Sequence, residues 1–95
     1  MPSIQTAYNW AIEKCNEDNI GYSQSYRNQR TVNGITYFDC SSFIWYALKA
    51  GAFDVVKSNG GSIWPFTTSN MSRALPLIGF TKHSTAQPWK QGDIL

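Results

Sequence analysis

The sequence predicts an α+β fold, on three observations. Apolar residues recur at three- and four-residue spacing over residues 4–15 and again over 40–48, the period of an amphipathic helix. An Asn33-Gly34 pair stands between two short runs rich in β-branched and aromatic residues, which is a hairpin signal. Short apolar runs at 78–82 and 93–95 read as the beginnings of strands separated by a polar loop. The predicted order is therefore helices first and strands last. A sheet with so few strands closes a core poorly, since isolated pairs are marginal and three or more strands are usually needed. The 95 residues are expected to be the front part of one larger domain.

Taken in order, the stretch from Ser3 to Glu17 places Ile4, Ala7, Tyr8, Ala11, Ile12 and Cys15 on one stripe, with Ser3 as N-cap and Asn9, Glu13 and Asn16 opposite. Cys15 on that stripe is expected to be a small buried hydrophobe. Residues 19–37 are polar, contain the turn formers Gly21, Asn33 and Gly34, and read as an extended excursion. Asn33-Gly34 can join Arg30-Thr31-Val32 to Ile35-Thr36-Tyr37, because both residues tolerate positive φ. A second, largely buried helix then carries Cys40, Phe43, Ile44, Ala47 and Leu48 on one face, with Gly51 as its terminator. Ser58-Asn59-Gly60-Gly61-Ser62 is a loop. Thr67 or Thr68 caps a third, shorter helix with Met71, Ala74 and Leu75, which Pro76 interrupts.

Composition narrows the function classes. With 42% apolar and 15% aromatic residues, the chain is too hydrophobic for a disordered tail. The net charge is +2, and the basic residues Lys14, Arg27, Arg30, Lys49, Lys57, Arg73, Lys82 and Lys90 are scattered, which argues against a nucleic-acid partner. No apolar run approaches the ~20 residues that span a bilayer, so membrane insertion is not expected. Met1-Pro2-Ser3-Ile4-Gln5 lacks the pattern of a signal peptide, so synthesis in a cytoplasm is expected. Two cysteines, one histidine and no Cys-x-x-Cys make neither a disulfide scaffold nor a metal site, and no cofactor is expected.

The chemistry concentrates at Cys40, in the first turn of the second helix, after Asp39 and before the small residues Ser41 and Ser42. A sulfur there feels the positive end of the helix macrodipole and unpaired N–H groups, which favour the thiolate that attacks a carbonyl carbon. The same N–H groups can stabilise a developing oxyanion. From periodicity alone, two readings stay open: a nucleophile, or a core cysteine on an amphipathic helix.

The segment Tyr37-Phe38-Asp39-Cys40-Ser41-Ser42-Phe43-Ile44-Trp45-Tyr46-Ala47-Leu48-Lys49-Ala50-Gly51-Ala52 resembles the nucleophile helix of NlpC-type and CHAP-type cell-wall peptidases, most of all the bacteriophage peptidoglycan amidases. Upstream, Gly21-Tyr22-Ser23-Gln24-Ser25-Tyr26-Arg27 is similar to that family's Tyr, Ser and aromatic-Arg segment. Downstream, Thr67-Thr68-Ser69-Asn70-Met71 resembles its third-helix start, and Pro88-Trp89-Lys90-Gln91-Gly92-Asp93-Ile94-Leu95 its entry into the first central strand.

The resemblance implies a papain-like fold and a phage-lysin-like hydrolase that cleaves a peptidoglycan amide bond, as an N-acetylmuramoyl-L-alanine amidase or a peptide endopeptidase, acting on the cell wall after release. Cys40 is then the nucleophile, and Tyr22, Asp39 and Ser41 are the expected oxyanion- and substrate-binding set. Asp39 either caps the helix or meets a substrate amine. Trp45, Trp64 and Trp89 either line a groove where sugar rings stack or belong to the core. In the family the catalytic His follows the Gly-Asp-Ile strand, whereas the single histidine here, His83, precedes it and reads as a solvated loop residue. The chain is therefore expected to lack its general base and to be inactive alone. Its expected partners are bacterial peptidoglycan and the remainder of the domain, or a second chain, laid over the Cys40 helix. A non-catalytic cell-wall binding module and an inert fragment completed by a companion polypeptide are the competing readings.

Overall fold

Ser3 starts the first helix as its spacing predicts: its hydroxyl accepts the Thr6 amide at 3.1 Å, and helix α1 runs Ile4–Cys15. The computed structural model describes residues 2–80. Within them the chain is α+β. Strands β1 (Ile20–Tyr22), β2 (Thr31–Val32) and β3 (Ile35–Phe38) come next, then helix α2 (Cys40–Ala50). Two short helices, α3 (Val55–Ser58) and α4 (Thr68–Ala74), and a 3₁₀ turn over Leu75–Ile78 complete it. No helix among the described residues is long and apolar enough to cross a membrane.

The sheet of the described residues lies between α1 and α2 in the chain. Its strand order is β1-β3-β2. The hairpin forms where Asn33-Gly34 predicts it, with φ of 53° and 80° at the two turn residues and Thr31 opposite Thr36. The unexpected strand is β1, which pairs parallel with β3 and sets Ile20 beside Thr36, Gly21 beside Tyr37 and Tyr22 beside Phe38. A Cβ on Gly21 would meet the Tyr37 ring at 2.8 Å, so the strand needs glycine there for close approach. The strand expected at 78–82 does not begin at Ile78. Pro76, at the start of the 3₁₀ turn, favours a helical turn, and Gly79 closes it at φ 102°. The strand expected at Asp93–Leu95 lies outside the described residues.

On both long helices the buried face matches the expected one only in part: Ala7, Ala47 and Leu48 are buried as expected, whereas the rest of each stripe is half-buried or exposed. On α1 the covered side is Ala7, Trp10, Ala11 and Lys14, while Ile4, Tyr8, Ile12 and Cys15 are exposed. Cys15 is thus not a buried hydrophobe. Trp10 sets the rotation: its ring packs edge-on against Phe38 at 5.9 Å and tilted on Phe43 at 5.4 Å. On α2 the buried residues are Ser41, Ser42, Trp45, Ala47 and Leu48, and Cys40 is exposed. Trp45 packs edge-on against Phe66 at 5.1 Å. Around this pair the core gathers Ala7, Leu48, Val55, Met71 and Ala74.

The α1–α2 contact depends on Gly51. Ser3 donates its N–H to the Gly51 carbonyl at 2.7 Å, and a Cβ at 51 would lie 2.6 Å from the Ser3 carbonyl oxygen and 2.9 Å from the Ala7 Cβ. The sequence places glycine there to end the helix, yet its φ is −82° and the left-handed residue is Ala52 at φ 68°. Glycine is required for approach, not for backbone freedom. Gly51→Ala is therefore expected to force the two helices apart and lower stability by roughly 1–3 kcal/mol, read from urea unfolding. An unchanged midpoint would show that the contact is loose.

Candidate functional site

Asp39 builds the start of α2. Its carboxylate accepts the Ser42 N–H at 2.8 Å while the Ser42 hydroxyl accepts the Asp39 N–H at 2.8 Å, a reciprocal capping box. The Phe43 N–H goes to the Asp39 carbonyl at 2.9 Å. Of the first turn, the Cys40 and Ser41 amides are the ones not drawn into this cap. Cys40 is the first helical residue, and its thiol is free and exposed.

Beneath the cap lies a residue to which sequence reasoning assigned no role. Arg27 is only 6% exposed. Its Nε donates to Asp39 Oδ2 at 2.8 Å, its Nη1 to the Pro65 carbonyl at 2.6 Å, and its Nη2 to Ser41 Oγ at 3.0 Å and to the Phe66 carbonyl. Ser41 in turn donates to Asp39 Oδ1 at 3.2 Å. The only sequence signal for Arg27 was the aromatic-Arg pair within the resemblance. Periodicity could not reveal partners twelve and thirty-eight residues away.

Two of the expected substrate-binding residues are thus engaged in structure. Asp39 takes the capping role of its two readings, and the Ser41 hydroxyl, buried, is shared between Arg27 and Asp39. Burial pushes the Asp39 carboxyl up. The Arg27 hydrogen bond, the Ser42 amide and hydroxyl, and the Arg27 charge outweigh it and hold the group below its ordinary value of 3.8.

Tyr22 is 65% exposed, with Gln24 Nε2 at 3.5 Å from its hydroxyl. The parallel register sets it beside Phe38, and Ser23 N–H donates to the Phe38 carbonyl at 3.0 Å, so β1 ends at the edge where α2 begins. Trp45 belongs to the core and not to a groove, Trp64 is half exposed, and Trp89 and His83 lie outside the described residues. Among the described residues no cluster of His, Cys, Asp and Glu is placed to hold a metal ion. Comparison of the chain with protein-family models, with curated proteins and with solved structures finds no match.

The two free thiols sit at opposite helix poles. Cys40 opens α2, where the macrodipole is positive, and Cys15 closes α1, where it is negative. Iodoacetamide at neutral pH is expected to label Cys40 faster than Cys15, as peptide mapping would measure; equal rates would remove the electrostatic argument for Cys40.

Asp39 yields a second expectation. Its carboxyl is held low in the folded chain, so its stabilisation is complete above the unfolded value and is lost as pH falls through the folded one. Asp39→Asn is expected to cost roughly 2–4 kcal/mol at neutral pH. The gap to the parent should narrow below pH ~4, and a constant gap across an acid titration of unfolding would exclude the ionised cap.

Proposed function

We propose that the chain carries the nucleophile half of a papain-like cysteine hydrolase that cleaves an amide bond of bacterial peptidoglycan. The observation that supports this most is the exposed Cys40 thiol at the first position of α2, beside two amides outside the cap. The resemblance of residues 37–52 to the nucleophile helix of phage amidases supplies the substrate class.

In this reading the Cys40 sulfur, as thiolate, adds to the amide carbonyl carbon. The oxyanion forms against the Cys40 and Ser41 N–H groups, where the positive helix end costs no reorganisation to reach. The C–N bond then breaks, the amine leaves with a proton from an imidazolium, and a thioester remains on Cys40. Water, deprotonated by the same imidazole, attacks the thioester carbon and releases a carboxylate and the thiol. The imidazole belongs to a histidine, a residue type that residues 2–80 do not contain. In this reading Tyr22, exposed at the end of β1, contacts the substrate. Arg27 is a positioning residue, since its contacts are to the cap and the 65–66 carbonyls.

The test is release of new amino groups from purified muropeptides by the natural gene product that carries this chain. Cys40→Ser and Cys40→Ala are expected to lower the rate by more than roughly a thousandfold with the fold unchanged by circular dichroism. Hydrolysis that survives both substitutions would overturn the reading.

A further inference from the structure

Between Lys57 and Arg73 the sequence carries no charged residue. Inside that stretch Ile63 is 84% exposed and Trp64 50% exposed, although the backbone around them is held. The Trp64 N–H donates to Ser62 Oγ at 3.2 Å, and Asn59 Nδ2 donates to the Trp64 carbonyl at 3.2 Å. The next two carbonyls, of Pro65 and Phe66, are taken by the buried Arg27 guanidinium. An indole is thus kept wet on a pinned loop, and large exposed apolar side chains in fixed positions mark binding surfaces.

The surroundings define the ligand. Near Trp64 in the chain stand the Ser62, Thr67 and Ser69 hydroxyls and the Asn59 and Asn70 amides, of which Thr67, Ser69 and Asn70 already bond one another. These groups are neutral hydrogen-bond donors and acceptors. A charged peptide laid over the loop would lose hydration with no counter-charge to meet it. A pyranose ring has one apolar C–H face for the indole and a rim of hydroxyl and acetamido groups for Ser, Thr and Asn. The location fits the nucleophile as well. One guanidinium nitrogen holds both Ser41, which follows Cys40, and Phe66, two residues after Trp64.

We propose that Trp64 is the stacking platform for an uncharged saccharide ring, so that the glycan lies over the 62–66 loop and its peptide branch extends toward Cys40. For its substrate class this rests on the peptidoglycan reading. The rigid loop presents the ring without an ordering cost at binding.

The probe is a soluble β-1,4-linked N-acetylglucosamine oligosaccharide, titrated by calorimetry into the natural gene product bearing Cys40→Ala. Trp64→Ala is expected to weaken binding roughly five- to tenfold, and Trp64→Phe, which keeps an aromatic face, to weaken it by less. Trp64 is half exposed, so both variants should melt with the parent, and a melt shows whether they do. In the natural gene product Trp64→Ala should raise KM for muropeptides with kcat little changed. Parental affinity in Trp64→Ala, or no binding by the parent, overturns the saccharide platform and leaves the hydrolase reading standing if muropeptides are still cut. Binding lost with Trp64 but no cleavage by the natural product overturns the hydrolase reading and leaves the platform standing.

Discussion

A guanidinium taken out of water needs acceptors, because an unpaired buried charge costs several kcal/mol. Arg27 finds them on two segments far from it and from each other in the chain: the Asp39 carboxylate and Ser41 hydroxyl, and the Pro65 and Phe66 carbonyls. The excursion between β1 and β2, the first turn of α2 and the loop before α4 are therefore fixed to one point. Everything at the exposed end of α2 inherits its position from that point. The cap fixes the turn that carries Cys40, and the carbonyl contacts hold the Trp64 loop.

The packing below this node explains why it stays in place. Trp45, fully buried against Phe66, anchors the same loop from the core side, one turn along α2 from Ser41. Its Nε1 has no hydrogen-bond partner among the described residues, a cost accepted where the ring fills volume. On the other side Trp10, Phe38, Phe43 and Tyr46 interlock in edge-to-face and tilted contacts, tying α1, β3 and α2 together. Phe38 immediately precedes the cap. The sheet, the first helix and the cap residue thus share one aromatic cluster, and Gly51 lets α1 and α2 close over it.

Local signals in the sequence were sufficient for local structure. Ser3 and Asp39 cap the helices, Asn33-Gly34 makes the hairpin, and Thr67 opens α4, because each of these depends on backbone geometry within four residues. What failed depended on distance. Of the apolar stripe Ile4-Ala7-Tyr8-Ala11-Ile12-Cys15 that the period marks as the buried face, only Ala7 is buried and Ala11 half-buried, because Trp10 and the Gly51 approach decide the rotation, and neither is a periodic signal. Strand β1 is three residues long and contains a glycine, too short for alternation to show. At the site, Cys40 and its place in the first turn were legible from the Asp-Cys-Ser-Ser run. The tie of Ser41 and Asp39 to Arg27 was not, because Arg27 is an isolated charge whose partners fold onto it from elsewhere.

The Arg27–Asp39 pair organises the Cys40 end of α2, and a double-mutant cycle tests this most directly. Arg27→Met, Asp39→Asn and the double variant would be compared with the parent by urea unfolding. A coupling free energy of roughly 1.5–3 kcal/mol is expected for a hydrogen-bonded charge pair in this environment. Additive effects, with coupling near zero, would contradict the role given to Arg27 and leave the cap at Asp39 standing alone.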